Sequence, residues 1–338
     1  MSYKYIVAVD AMGGDNAPLE IVKGSVLAIS ENSDIKIILV GIKEKIEECL
    51  SLINFKNYER LEIVNATSVI ETNETPTTAI KEKKDSSMVV GLNLLKENKA
   101  SAFVSAGNTG ALLTGSTLIV GRIRGVLRPC LATLLPTSAG FVFLGDVGAN
   151  VDSKPEYLLQ FAKMGSVYME NVLKTENPKV GLINIGEERE KGNSLTKEAY
   201  GLLEGSNVNF CGNIEARDIS AGKADVVVCD GFVGNIILKH TEGLAYTLMG
   251  IIKKELMATT KSKIGALLAK GAFKNIKKRF DYKEIGGAPF LGLKQLVIKA
   301  HGSSDERAIK SAINQAYIFI SNDITNKIKK KLGVSNEK

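Results

Sequence analysis

Runs of β-branched and other apolar residues recur along the whole chain, and most are apolar at every successive position: YIVAV, IKIILVG, LEIVNA, ASAFVSAG, CLATLL, FVFLGDVG, KVGLINIG, VNFCGNIE, ADVVVCDG and LVIKAHG. A strand with one wet face alternates apolar and polar residues, so strands that do not alternate must be covered on both faces. Between the runs lie stretches with helical spacing, such as residues 17 to 31, 155 to 173 and 194 to 204. Strands alternating with crossover helices predict an α/β fold with a doubly wound, mainly parallel sheet.

At 338 residues the chain is long enough for one large α/β unit or for two lobes sharing a central cleft. The uninterrupted helical stretch from 232 to 281 breaks the strand–helix rhythm and is expected to form an arm. With 44% hydrophobic and 24% charged residues, the composition is that of a folded globular chain. The first residues carry no apolar signal core, and no run of about 18 apolar residues occurs, so the expectation is a cytoplasmic protein without a membrane span. Cys49, Cys130, Cys211 and Cys229 form no CxxC pair, which argues against a zinc knuckle or a disulfide framework. Cys229, inside VVVCD, reads as strand packing. A net charge of +7 favours acidic partners. Nucleic acid is not expected among them, because no basic stretch is interleaved with aromatics.

Several strands end in polar or glycine-bearing turns that open the next helix: VDAMGGD, SAGNTGA, DVGANVD, NIGEE and CDGFVGN. That rim is where ligands bind in doubly wound folds. Gly13 and Gly14 let the backbone turn sharply just past the first strand, although a tight turn alone also calls for glycine. In SAGNTGALL, Asn108 and Thr109 stand at a helix entrance, where unpaired N–H groups and the helix dipole favour an anion such as phosphate. CDGFVGNIILK repeats the arrangement with Gly231, Gly234 and Asn235, and Lys239 follows one turn later. Asn and Thr are also ordinary N-caps.

No G-x-G-x-x-G follows a strand and no P-loop signature is present, so neither dinucleotide nor P-loop nucleotide binding has a warrant. The chain has only two histidines, His240 and His301, and no HExxH, which excludes a His-rich metal site. His301, in IKAHGSSD, lies where a strand ends and is a candidate proton donor or anion contact; a purely structural hydrogen bond is the alternative. Ser303 and Ser304 read as the entrance to the last long helix, since no G-x-S-x-G elbow accompanies them.

VDAMGGDNAP, KKDSSM (83 to 88), SAGNTGAL, DVGANVD, FAKMGS (161 to 166), GNIEARD (212 to 218), DVVVCDGFVGNIILK with TEG, and AHGSSD occur in order from residue 4 to about 320. Together they resemble the bacterial phosphate acyltransferase family, PlsX. The chain departs from the family pattern at Glu74, Lys81 and Gly145.

The resemblance implies a reaction in which inorganic phosphate attacks the thioester of an acyl-[acyl carrier protein], releasing acyl phosphate and the carrier's thiol. The acyl phosphate would then feed a glycerol-3-phosphate acyltransferase in phospholipid synthesis. The resemblance also implies a homodimer with a fold similar to the isocitrate and isopropylmalate dehydrogenases and to phosphotransacetylase, without cofactor or metal. With phosphate as nucleophile no Ser or Cys nucleophile is needed, and positioning and electrostatics carry the catalysis. On that reading Asn108, Lys191, Asn235 and His301 are the catalytic candidates. Gly107, Thr109, Gly110, Asp146, Asn150, Asp230, Gly231 and Gly234 are expected to line the substrate together with Asp10, Gly13, Gly14 and Asp15. Asp10 and Asp15 would repel phosphate, so they are expected to orient lysines or backbone donors. Two other readings use the same turns: a phosphotransacetylase-like enzyme acting on acyl-coenzyme A, and a non-catalytic fatty-acyl or membrane-surface binding protein.

Residues 250 to 280 contain nine Lys or Arg and a single acid, Glu255. Within them KIGALLAKGAF sets Ile264, Leu267, Leu268 and Phe273 between lysines, a pattern suited to an anionic bilayer or to burial against a twin helix.

Overall fold

The computed structural model describes residues 4–56, 59–280 and 286–334. Its sheet has eleven strands among the described residues. One parallel block is ordered β3 (Leu61–Asn65), β2 (Ile35–Gly41), β1 (Tyr5–Asp10), β4 (Ala102–Ser105) and β11 (Leu296–Lys299). The other is β6 (Gly140–Gly145), β9 (Val226–Val228), β7 (Lys179–Ile183) and β8 (Asn209–Ile214). Between them stand β10 (Ala288–Leu291) and β5 (Cys130–Thr137). The contacts β11/β10, β10/β5 and β5/β6 are all antiparallel, so the second block runs opposite to the first. The sequence pattern predicts the parallel blocks; it does not reveal β10 or the reversals around it.

The absence of alternation follows from the cover on both faces. Val7 and Val9 of β1, with Ile35, Ile37 and Leu39 of β2, belong to one buried cluster, while Ala8, Ile38 and Val40 belong to the other. The first cluster is closed by α1 (Leu19–Glu31), α2 (Lys43–Leu52), α6 (Pro155–Tyr168), α7 (Ser194–Glu204), α12 (Glu306–Ser321) and α13 (Ile324–Lys331). The second is closed by α3 (Pro76–Glu82), α4 (Ser87–Lys96), α5 (Thr109–Gly115) and α8 (Ala216–Ala221). α5 continues into a π-helical turn, Ser116–Val120.

α9 (Gly231–Leu256) behaves differently. Of its 26 residues only Gly231 and Gly234 are buried, and at 1.5 Å per residue it is roughly 39 Å long. It leads into α10 (Thr260–Leu268), which buries nothing, and α11 (Lys270–Phe280). Tyr246 is 84% exposed and Leu268 85%. The last residue of the predicted arm, Asp281, lies outside the described residues. Among the described residues no helix is long and apolar enough to cross a membrane.

Candidate active site

The carboxyl ends of β1, β4 and β11 are neighbours in the sheet, and the loops leaving them are stitched together. Asp10 ends β1 and is buried; Ser105 Oγ donates to its Oδ2 at 2.6 Å and the Met12 N–H to its Oδ1 at 3.2 Å. Burial pushes this carboxyl above its ordinary pKa, while hydrogen bonds from Ser105, Ser87 and Met12 pull the other way. The Gly107 N–H donates to Ser105 Oγ at 3.1 Å, joining the β4 turn to the same carboxylate. Gly13 sits so close that a Cβ there would lie 2.6 Å from Asp10 Oδ2 and 2.7 Å from the Gly107 nitrogen. Gly14 has φ +99°, which favours glycine, and its neighbour Asp15 donates its N–H to the Gly302 carbonyl at 2.8 Å. Asn16 Nδ2 donates to the carbonyls of Ser303 and Ser304, each at 3.2 Å. The opening motif therefore builds a frame, and its buried carboxylate collects donors from the loop after β1, from β4 and from α4.

Two side chains of chemical interest stand on this frame, and a third, on α9, acts on them electrostatically. Lys299, half-buried at the end of β11, donates from Nζ to the Ala106 carbonyl at 3.1 Å and to that of Ala300. Burial lowers its pKa to about 8, against the support of Asp10 and Asp15. His301 follows two residues later and is exposed. The Ser303 N–H donates to its Nδ1 at 3.2 Å, with Ser303 Oγ 2.9 Å away. A backbone donor requires Nδ1 to be unprotonated, so the neutral ring carries its proton on Nε2. Although the residue is exposed at the surface, partial loss of water around the ring, followed by the charge of Lys239, lowers the imidazole pKa and favours this neutral form. Lys239 belongs to α9, where it pairs with Glu242 at 2.9 Å, and it also acts on Lys299. Asn235, Lys239 and Glu242 are spaced i, i+4 and i+7, so one face of α9 carries all three.

A second frame forms at the carboxyl ends of β6 and β9. Asp146 is fully buried, and its carboxylate accepts from the N–H groups of Leu131 (3.0 Å), Ala149 (3.2 Å) and Asn150 (2.6 Å) and from Asn150 Nδ2 (2.8 Å). Asn150 Nδ2 also donates to the Pro129 carbonyl, and the Asn150 carbonyl accepts from the Gly231 N–H at 2.7 Å. A Cβ on Gly231 would lie 2.7 Å from that carbonyl, and one on Gly234 would fall within the Asp146 carbonyl oxygen. These two glycines let the first turn of α9 rest on the 146–150 loop. Asp230 caps that turn by accepting from the Val233 N–H at 2.9 Å. Asn235 is exposed beside Gly148.

The remaining sequence candidates are placed as follows. Asn108 caps α5, accepting from the Ala111 N–H at 3.0 Å, and its Nδ2 is within hydrogen-bond distance of the carbonyls of Glu71, Thr72 and Glu74. Its carboxamide is thus committed to holding the 71–74 loop, and the exposed Thr109 and half-buried Gly110 present the helix entrance. Lys191 is exposed on the loop after β7, its stem beside Gly186 and its carbonyl accepting from Asn184 Nδ2 at 3.0 Å. None of the contacts described joins it to the His301 group. At the family departures, Glu74 accepts from Lys83 Nζ at 2.6 Å, and the space beside Gly145 is filled by Cys130 Sγ, 2.7 Å from a Cβ position, and the Phe143 ring. Lys299 and Ser105 escape the sequence reading; the one signal is a lysine closing an apolar strand two residues before a histidine.

The family model described as "Fatty acid synthesis protein" matches residues 5–327. The chain belongs to this family, PlsX. It is 54% identical over 328 residues to the phosphate acyltransferase of Clostridium botulinum (strain ATCC 19397 / Type A), covering 97% of this chain and 98% of that one. It is 52% identical over 327 residues to the phosphate acyltransferase of Clostridium perfringens (strain ATCC 13124), covering 96% of each. In fold, this PlsX chain is similar to a phosphotransacetylase from Streptococcus pyogenes, with a TM-score of 0.61, 15% identity and coverage of 96% and 95%. A branched-chain phosphotransacylase from Enterococcus faecalis V583 gives 0.59, 13%, 93% and 98%.

Proposed function

We propose that the protein transfers the acyl group of an acyl-[acyl carrier protein] to inorganic phosphate, and that the reaction takes place between the α9 face bearing Asn235 and Lys239 and the frame bearing Lys299 and His301. The observation that carries this reading is that Lys299 and His301 stand two residues apart on the rim stitched together around the buried Asp10, within electrostatic reach of Lys239 on α9. Lys299 and Lys239 hold the phosphate as cations, with the N–H groups of the α5 entrance at Thr109 and Gly110 proposed as further donors. A phosphate oxygen attacks the thioester carbon, forming the C–O bond of a tetrahedral intermediate whose oxyanion accepts from the His301 Nε2–H. Collapse breaks the C–S bond. A thiol of ordinary pKa about 8.5 is a competent leaving group, so the imidazole acts as hydrogen-bond donor more than as acid. Asn108, Asp10, Asp15, Asp146, Asn150 and Asp230 hold the loops. Lys191 serves the incoming acidic carrier.

The chain works in the cytoplasm as a homodimer that lies peripherally on anionic membrane, delivering acyl phosphate to a glycerol-3-phosphate acyltransferase. Support for this placement comes from the exposed apolar residues and dense lysines of residues 231 to 280. The test of the reaction measures thiol release and acyl phosphate from purified protein supplied with phosphate and either acyl-[acyl carrier protein] or acyl-coenzyme A. Phosphate-dependent release that favours the carrier-protein thioester is expected. Preference for coenzyme A returns the phosphotransacetylase-like reading, and no release from either leaves a binding protein.

A further inference from the structure

Building on the proposed function, which seats phosphate beside Lys299 and His301, we infer that Asp15 selects phosphate over sulfate. Its carboxylate accepts a hydrogen bond from the P–OH that phosphate carries near neutral pH and that sulfate lacks.

Asp15 is held more firmly than an ordinary loop carboxylate. Its own N–H donates to the Gly302 carbonyl at 2.8 Å, and the next residue, Asn16, holds the carbonyls of Ser303 and Ser304, each at 3.2 Å. The loop after β1 is thus fastened to the turn that carries His301. A Cβ on Gly302 would lie 3.5 Å from Asp15 Oδ2 and 3.8 Å from Oδ1, so the carboxylate lies over the residue that directly follows His301. It is exposed, and among the described residues no donor hydrogen-bonds to it. Asp10 and Glu242, which also act on Lys299 or His301, are already engaged. Asp10 takes Ser105 Oγ at 2.6 Å and the Met12 N–H at 3.2 Å, and Glu242 takes Lys239 Nζ at 2.9 Å.

The rim therefore offers both kinds of partner that a protonated anion needs. Lys299 spends two ammonium N–H groups on the carbonyls of Ala106 and Ala300 and keeps the third. Such donors suit the bare oxygens of phosphate, while its O–H requires an acceptor, and a carboxylate makes that hydrogen bond short and strong. Sulfate presents only bare oxygens, so the same carboxylate meets like charge with no proton between. Among the described residues no three His, Cys, Asp or Glu side chains converge as metal ligands, so a cation-binding use of Asp15 has no geometry behind it.

The test titrates inorganic phosphate and sulfate calorimetrically, near neutral pH and at constant ionic strength, into the whole protein and its Asp15→Asn and Glu242→Gln variants. Wild type is expected to prefer phosphate. In Asp15→Asn the carboxamide can donate to sulfate, and the ratio of phosphate to sulfate affinity is expected to fall by about tenfold or more. Glu242→Gln removes a charge of the same sign from the same rim and is expected to leave that ratio within about threefold. An unchanged ratio in Asp15→Asn overturns the inference. So does an equal fall in Glu242→Gln, which assigns the effect to charge alone, or a wild type that binds no phosphate. Thiol release from wild type judges the proposed function separately: a protein that prefers phosphate through Asp15 yet releases no thiol keeps the inference and loses that function.

Discussion

Lys299 is under two opposed influences. Burial removes water from its ammonium and lowers the pKa to about 8, while the charges of Asp10 and Asp15 hold the proton on. In the proposed role the cation attracts phosphate, so raising the pH through about 8 removes both the proton and the attraction. The KM for phosphate is therefore expected to rise on the alkaline side, with kcat changing less. His301 is lowered from its ordinary pKa by partial loss of water around the ring and stays neutral over the same range, placing its limb on the acid side. Lys299→Arg retains a cation that keeps its proton far into the alkaline range, so the alkaline limb is expected to move up by at least about one unit. Lys299→Ala is expected to lower kcat/KM by about 10²–10³ and to abolish the limb. An alkaline limb unmoved in Lys299→Arg assigns it to another group. The 9–18 motif is readable in the sequence because Asp10, Met12 and Gly13 contact one another within a few positions. Lys299 is not, because its meaning depends on Asp10 and Asp15 far away along the chain.

At the scale of elements, the first turn of α9 is the joint between the two frames. Gly234 lies against the Asp146 carbonyl, where an alanine methyl finds no space without lifting the helix from the loop. Overpacking of this kind costs about 1–3 kcal/mol, and lifting the helix also moves Asn235 and Lys239. Gly234→Ala is expected to lower the Tm and raise the KM for phosphate. Gly243, in the same helix with nothing within 4 Å of a Cβ, supplies the control. Gly243→Ala is expected to be neutral or to stabilise by up to about 1 kcal/mol, with unchanged kinetics. Equal behaviour of the two variants in melting and in KM would separate α9 from the loop. The parallel blocks are legible because each strand carries its own apolar signature. β10 is not, since APFL has four residues and contains Pro289, a residue normally kept out of central strands. Its place between β11 and β5 is fixed by partners on both sides.

For the whole molecule, the question is what covers the arm in water. Ile264 is 58% exposed, Leu267 71% and Leu268 85%, on a helix that buries nothing. Lysines surround them in a chain of net charge +7. A basic residue near an anionic surface contributes about 1 kcal/mol and an inserted Leu or Phe about 1.5–3 kcal/mol, so partial engagement already gives measurable binding. The other cover is a second copy, for which the exposed Phe232, Ile236, Leu244 and Leu248 of α9 provide a longer apolar face. The two covers make different demands on Leu268. If α9 pairs with its twin and α10 meets the bilayer, Leu268→Glu removes an inserted side chain and adds a repelled charge without touching the dimer. Flotation with vesicles containing anionic lipid is then expected for the wild type and lost in Leu268→Glu, with both proteins eluting as dimers from a sizing column. Raising the salt is expected to weaken wild-type flotation, because the lysine contribution is screened beyond about 8 Å at physiological ionic strength. Dissociation of Leu268→Glu to monomers, with no flotation of the wild type, would instead assign α10 to the contact between copies.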